Sequence, residues 1–188
     1  MSNPYVQSRF HRIKDDAYFT IDARCVYSFL EFFNPTGLCV DICAPDGSGI
    51  ISVLQNLGYD AVGIPDAFQD NVLAQWIITN PPYKRPLVDD IIGRQLDRIG
   101  CNDVDAAAML LRTGFDHAKT RAAIFRDSPL YAGQIKMYVR PWWVDKRDKQ
   151  PIHMYVWHIW ARRRHRFPFV LHAFGDPPHE RKSLCLEI

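Results

Sequence analysis

One stretch of the chain combines residue types that could hold a flat amine. Thr79-Asn80-Pro81-Pro82-Tyr83 follows the apolar run from Leu73 to Ile78, whose β-branched and aromatic residues predict a buried strand. The prolines lock φ, and Pro81 forces Asn80 out of the helical region. The amide oxygen of Asn80 and the carbonyl of Pro81 could accept both protons of a planar amino group, and the ring of Tyr83 could stack on it. The simpler alternative is a strand that only ends at a double proline.

A second stretch is typical of a nucleotide-binding turn. Leu38 to Cys43 predicts a central strand, and Ile50 to Leu57 predicts a helix that ends at Gly58. Between them lies the small-residue turn from Ala44 to Gly49. Glycine lets the backbone approach a ligand, and the first turn of a helix offers free N–H groups. Ligands of open parallel sheets bind at the carboxyl ends of the strands, so this turn and the Asn80 loop are expected at the same edge.

The remaining pattern alternates helices and strands, which is typical of an α/β domain. The predicted helices are Asp22 to Phe33 (capped by Thr20 or Asp22), Leu87 to Ile99 and Phe115 to Phe125, and the further strands are Tyr59 to Ile64, Asp105 to Leu111, Gln134 to Val139, His153 to Trp160 and Phe167 to Phe174. We expect the Gln134 and His153 strands to form an antiparallel hairpin at one edge of the sheet. We read residues 1–188 as one domain, with an arm over 1–16 and a tail over 176–188.

The link between the second strand and the Asn80 strand is short. Only Ala67 to Gln75 separate Asp66 from Trp76, and extended residues span about 3.3–3.6 Å each. The link can cross the sheet once, but an excursion to an outer strand needs roughly ten or more residues for each crossover. The outer strand is therefore predicted to be missing or vestigial.

Asn80-Pro81-Pro82-Tyr83 resembles the catalytic motif of S-adenosylmethionine-dependent methyltransferases that act on planar nitrogens, chiefly the amino group of DNA adenine. From about Tyr18 to Ala173 the chain is similar to the compact phage- and prophage-type DNA adenine-N6 methyltransferases, which lack a separate target-recognition domain. The resemblance implies a Rossmann-like class I methyltransferase sheet that is mostly parallel. It also implies S-adenosyl-L-methionine as cofactor and adenine in DNA as the methyl acceptor.

The resemblance also implies roles for individual residues. The catalytic set is Asn80, Pro81, Pro82 and Tyr83. The cofactor-binding set is Thr20, Asp41, Cys43, Ala44, Asp46, Gly47, Gly49, Asp66 and Asp70. Two positions depart from the family pattern: Pro45 replaces its first glycine, and Asp66, the candidate for the ribose hydroxyls, lies one residue late behind Pro65. Asp66 could equally be a solvated turn residue.

Basic and aromatic residues indicate a nucleic-acid partner. The net charge is only +2, but Lys and Arg crowd into the C-terminal half. The candidate contacts are Lys84, Arg85, Trp142, Trp143, Lys146 and Arg147, since aromatic faces stack on bases and cations bind phosphate. A tryptophan pair that anchors a hairpin, with its charges in water, is an equal alternative.

Composition excludes several classes of protein. Hydrophobic residues make up 47% and charged residues 23% of the chain, which is ordinary for a globular domain. No run is long enough for a membrane span and residues 1–4 do not begin a signal peptide, so we expect a cytoplasmic protein. The five cysteines have no metal-ligand spacing, and no metal is expected.

Two other functions remain open. The same loop chemistry serves enzymes that methylate RNA adenine or protein glutamine, and a catalytically silent module for DNA binding or subunit contact would also fit the altered Pro45 and Asp66.

Overall fold

The computed structural model describes residues 20, 22–44, 48–69, 71–142, 153–162 and 169–178. Its three helices are α1 (Ala23–Leu30), α2 (Gly49–Asn56) and α3 (Leu87–Gly100). Its strands are β1 (Cys39–Asp41), β2 (Ala61–Gly63), β3 (Ala74–Thr79), β4 (Val104–Arg112), β5 (Tyr131–Met137), β6 (Tyr155–Ala161) and β7 (Phe169–Ala173). Every predicted strand is present, although β1 and β2 are shorter than predicted.

The seven strands form one sheet in the order β2-β1-β3-β4-β6-β5-β7. Only β6 runs against its neighbours, β4 and β5, and the other pairings are parallel. This confirms the mostly parallel α/β sheet with an antiparallel pair toward one edge. The strand predicted over Phe167 to Phe174 is β7, which adds a further parallel strand outside that pair.

The missing outer strand is confirmed as well. Within the described residues, β2 pairs only with β1, and residues 64–69 and 71–73 form no strand. The chain returns directly from β2 to β3, as the short link requires. The helix α3 anchors this link, since the Arg98 guanidinium donates to the carbonyl of Val72 and the Arg94 guanidinium donates to Asn71.

The prediction of a helix over Phe115 to Phe125 is wrong. The segment forms two short 3₁₀ turns, Phe115–His117 and Lys119–Arg121, because Ala118 between them is extended (φ −73°, ψ 125°). The Arg121 guanidinium donates to the Phe115 carbonyl and to Asp89 on α3, at 2.8 Å each. These long-range contacts stabilise the turns in place of the helical hydrogen bonds that the sequence pattern predicted.

The core lies on both faces of the sheet. Phe29 of α1 and Phe33, just after it, pack against Trp76 and Trp157 on one face, and the indole N–H of Trp157 donates to the Cys25 carbonyl at 2.8 Å. The other face buries His158 among Phe125, Tyr131 and Trp160. Tyr131 Oη and His158 Nδ1 are hydrogen-bonded at 2.9 Å, whereas His158 Nε2 is buried with no hydrogen-bond partner in the described part of the chain.

This burial makes stability depend on pH. Burial lowers the pKa of His158 from 6.5 to about 4, against an opposing effect of Asp116. The unfolded chain therefore binds a proton between these values that the folded chain does not bind. The free energy of unfolding should fall by about 3 kcal/mol as the pH falls from 6.5 to 4. Urea denaturation across this range tests it: His158→Gln should lack this part of the pH dependence, and a variant with the wild-type profile would contradict the assignment.

Candidate active site

The predicted Asn80 loop lies where the sequence places it, at the carboxyl end of β3. Thr79 is the last residue of β3, and β1 and β4 flank that strand in parallel. The carboxyl ends of all three strands therefore meet at one edge of the sheet. The turn after β1 and the Asn80 loop are neighbours at this edge, which is the usual ligand-binding position in such sheets.

A buried carboxylate joins these two segments. Asp41, at the end of β1, is 3% exposed. Its oxygens accept hydrogen bonds from the Thr79 hydroxyl at 2.6 Å, the Ser48 hydroxyl at 2.8 Å and the Cys43 backbone N–H at 3.1 Å. Burial raises the pKa of Asp41, and these three donors oppose the rise because they stabilise the charged form. Asp41 thus ties the turn after β1 to the residue that precedes Asn80.

The side chains of Asn80 and Tyr83 contact each other. The Tyr83 hydroxyl donates to Asn80 Oδ1, and the two residues are 7% and 8% exposed, respectively. An amide oxygen can accept two hydrogen bonds. The contact with Tyr83 therefore orients the Asn80 amide and is compatible with a second hydrogen bond from a substrate N–H.

Two residues that the sequence analysis did not select pack against Tyr83. The Tyr155 ring lies 5.4 Å from the Tyr83 ring, between centroids, and the Arg112 guanidinium lies over the Tyr83 ring at 5.0 Å. Arg112 and Tyr155 are cross-strand partners at the end of β4 and the start of β6. The signal that could have found Arg112 is its position, since it ends a central strand at the edge where β3 ends.

Several of the other predicted cofactor residues surround Asp41 or follow it in the chain. Cys43 and Ala44 lie two and three residues after Asp41, and Gly49 begins α2. Ala44 packs against the end of β2, where a Cβ built on Gly63 would lie 2.9 Å from the Ala44 Cβ. Thr20 is buried, and its hydroxyl has no hydrogen-bond partner within the described residues. An orphaned buried hydroxyl of this kind suits contact with a bound ligand.

Asp66 follows β2 and is half-buried. One of its oxygens accepts from the backbone N–H of Phe68 at 2.9 Å, and the other accepts from the Gln69 side chain at 2.8 Å. Each oxygen thus has a partner inside its own turn. A carboxylate oxygen can accept more than one hydrogen bond, so this geometry allows both of the predicted roles. Asp46, Gly47 and Asp70 lie outside the described residues.

The predicted nucleic-acid contacts are only partly described. Lys84 and Arg85 are exposed directly after the Asn80 loop, and Arg85 forms an ion pair with Asp89 at 2.7 Å. Trp142 is half-buried, and its backbone N–H donates to Asp22 at 3.3 Å. Asp22 also caps α1, as predicted. Trp143, Lys146 and Arg147 lie outside the described residues.

Neither a metal centre nor a membrane-spanning helix occurs among the described residues. Across the described ranges there is no group of three or more His, Cys, Asp or Glu side chains that could hold a metal ion. None of the described helices combines the length and apolar character needed to cross a membrane. A cavity of about 510 Å³ lies along α3 and is lined by Phe68, Asp97 and Cys101 among others, but no predicted site residue lines it.

Comparison with known proteins identifies the fold. No family model matches the chain, and no curated protein matches its sequence. A crystal structure of a "putative class i s-adenosylmethionine-dependent methyltransferase" from Listeria monocytogenes superposes with a TM-score of 0.52 at 10% identity, over 86% of this chain and 68% of that chain. A "putative RNA methyltransferase" from Pyrococcus horikoshii gives a TM-score of 0.46 at 12% identity, over 74% and 80%, which is too weak to support an argument. The chain therefore has the Rossmann-like fold of class I methyltransferases.

The Thr79–Asp41 hydrogen bond leads to a prediction about stability. Thr79→Val keeps the shape of the side chain but removes the donor to a buried carboxylate, so we expect a loss of about 1 to 3 kcal/mol in the free energy of unfolding at pH 7. The loss should shrink as the pH falls through the raised pKa of Asp41, because a protonated carboxyl needs the donor less. Urea denaturation at neutral and acidic pH measures both effects.

Thr79→Ser is the matched control for this prediction, because it keeps the hydroxyl and removes only a methyl group. It should retain most of the stability at pH 7. If the Val and Ser variants lost equal, pH-independent amounts, the hydrogen bond would not be the stabilising contact.

Proposed function

We propose that the chain is an S-adenosylmethionine-dependent methyltransferase whose acceptor is the exocyclic amino group of adenine in DNA. One observation carries the proposal. The rigid Asn80-Pro81-Pro82-Tyr83 loop stands at the carboxyl end of the central strand β3, and the Thr79–Asp41 hydrogen bond joins it to the turn after β1. An amine-binding loop and a nucleotide-type turn are thereby held side by side.

The cofactor would occupy the turn after β1. It supplies, when bound, a methyl group activated by a sulfonium centre. The candidates to hold it are the backbone around Cys43 and Ala44, the N-terminus of α2 at Gly49, and the orphaned Thr20 hydroxyl. Asp66, three residues after β2, is the candidate for the ribose hydroxyls. Asp41 would hold this turn in place without contacting the cofactor, since its oxygens already accept hydrogen bonds from Thr79, Ser48 and Cys43.

The acceptor nitrogen needs activation because its lone pair is delocalised into the ring. Hydrogen bonds from its two protons to Asn80 Oδ1 and to the Pro81 carbonyl would draw the nitrogen toward tetrahedral geometry and stabilise the positive charge that develops. This is electrostatic preorganisation, and it depends on a loop that does not reorganise. The prolines and the Tyr83–Asn80 hydrogen bond supply that rigidity. The methylated nitrogen loses its proton readily, so no strong base is required.

Access of the base to Tyr83 involves Arg112. A base that stacks on the Tyr83 face over which the guanidinium now lies would displace Arg112. The packing of Tyr155 on the same ring would hold Tyr83 in place meanwhile. A base inside a duplex must first be flipped out at a cost of a few kcal/mol. Contacts of Lys84, Arg85 and the Trp142 segment with the nucleic-acid backbone would offset that cost.

The proposal predicts a separation of binding from transfer. Asn80→Ala should bind S-adenosylmethionine like the wild type but lose methyl transfer by roughly 10²- to 10³-fold, the usual cost of one preorganised contact. Calorimetric titration measures cofactor binding. Transfer of radiolabelled methyl groups to DNA, RNA and protein measures activity and separates the three acceptor classes.

Asn56→Ala, an exposed change at the end of α2, is the matched control and should be neutral. Normal turnover by Asn80→Ala would overturn the assigned role of the loop. A wild-type protein that binds no S-adenosylmethionine would instead support the silent module.

A further inference from the structure

An exposed aromatic cluster lies at the ends of β5 and β7, at the edge of the sheet opposite β2. None of its residues belongs to the candidate active site described above. The Tyr138 ring stacks on Phe174 at 5.0 Å and 30°, and lies 5.5 Å from His172 at 33°. Tyr138 and Phe174 are each 60% exposed, and His172 is also exposed. Large rings this exposed contribute little to a core, yet these three are ordered against one another. We call Tyr138, His172 and Phe174 the edge platform.

Alternation along two paired strands produces the edge platform. β5 and β7 are parallel neighbours, with Lys136 opposite His172 and Met137 opposite Ala173. Ile135, Met137 and Ala173 point inward and are buried, so Lys136, His172 and the residues that follow the strand ends, Tyr138 and Phe174, share the outward face. The inward face is the one that faces α1, because Ile135 pairs with Trp157, which hydrogen-bonds to Cys25.

The backbone beneath the edge platform is held in place. The Tyr138 N–H donates to the Ala173 carbonyl at 2.9 Å, which extends the pairing beyond the strand ends. Glu31, the C-cap residue of α1, accepts hydrogen bonds from the N–H groups of Phe174 and Gly175 at 3.0 and 3.3 Å. The rings therefore form a preorganised surface, which lowers the entropic cost of binding a flat ligand.

The charges around the edge platform favour an anionic ligand with flat groups. Lys136 pairs with His172, Arg140 follows Tyr138 by two residues, and both cations are exposed. Glu31 is already engaged with the backbone, and Asp176 lies two residues beyond Phe174. Stacked rings beside cations are the surface that binds single-stranded nucleic acid, since every base has a π face and every nucleotide a phosphate.

The edge platform lies at the same end of the sheet as the candidate active site. Lys136 pairs with Val156 and Arg112 pairs with Tyr155, so Tyr138 and Arg112 end their strands on the same side. From β3 to β5 the sheet order contains three spacings of about 4.8 Å, or roughly 14 Å. Arg112 and Tyr155 lie on the α1 face of the sheet, because Tyr155 is two residues from Trp157, whereas the edge platform lies on the opposite face. A strand whose base is bound at Asn80 would therefore pass over the carboxyl ends of β4 and β5 to reach the edge platform.

We propose that the edge platform stacks unpaired bases of a nucleic-acid strand that flank the methylated base. This inference rests on the proposed function for its biological meaning, but its test does not require methyl transfer. The occupant is a single DNA strand, as in the proposed function, and the chemistry recognised is an exposed base next to a phosphate.

The test is fluorescence anisotropy with a labelled single strand, made as DNA and as RNA of the same sequence. The double variant Tyr138→Ser/Phe174→Ser should weaken binding by roughly 5- to 150-fold for each ring removed. Phe68→Ser is the matched control, an exposed aromatic (46%) near the opposite edge of the sheet, and should bind like the wild type. Tyr138→Phe keeps the ring and should do so too. The double variant should have the larger effect on the DNA strand, and a larger effect on the RNA strand would overturn DNA as the occupant.

Equal binding of both strand types by the wild type and the double variant would overturn the proposal. So would a wild-type dimer that becomes a monomer in the double variant with nucleic-acid affinity unchanged, since the edge platform would then be a subunit interface. Methyl transfer by the wild type, measured beside strand binding, separates the two proposals. Ring-dependent binding without methyl transfer by the wild type would refute the enzyme and keep the edge platform, and methyl transfer with ring-independent binding would do the reverse.

Discussion

The hydrogen bond between the Thr79 hydroxyl and Asp41 is the constraint on which the candidate site depends. A buried carboxylate is costly unless its oxygens are satisfied, and Asp41 meets three donors that come from the turn after β1 and from the end of β3. Satisfying this one group fixes the relative position of the two segments. The Asn80 loop therefore begins next to a residue of fixed position, Thr79. Its prolines keep the backbone rigid as far as Tyr83.

The shape of the sheet follows from the short link between β2 and β3. Because the link holds no additional strand, β2 forms one edge and the carboxyl ends of β1, β3 and β4 remain together. At the opposite edge, β7 adds a strand beyond the antiparallel pair. Its exposed face ends at the same end of the sheet as the candidate active site.

Local patterns in the sequence predicted most of the fold. The apolar run before Asn80 and the small-residue turn after Asp41 needed only strand propensity, proline geometry and the rule for parallel sheets. The helix prediction for Phe115 to Phe125 failed because Arg121 contacts Asp89, 32 residues away. This contact stabilises 3₁₀ turns that no local pattern reveals. The Thr79–Asp41 bond spans 38 residues, and the packing of Arg112 and Tyr155 on Tyr83 joins three strands. Such contacts depend on register, which the sequence pattern leaves open.

The most direct measurement is mass spectrometry of nucleosides from DNA and RNA incubated with the protein and S-adenosylmethionine that carries a trideuterated methyl group. A loop that presents an amide oxygen to a flat amine beside the bound donor predicts a trideuteromethyl group on the exocyclic nitrogen of adenine, and DNA is the expected carrier. Cofactor binding without label on any nucleoside would contradict this account.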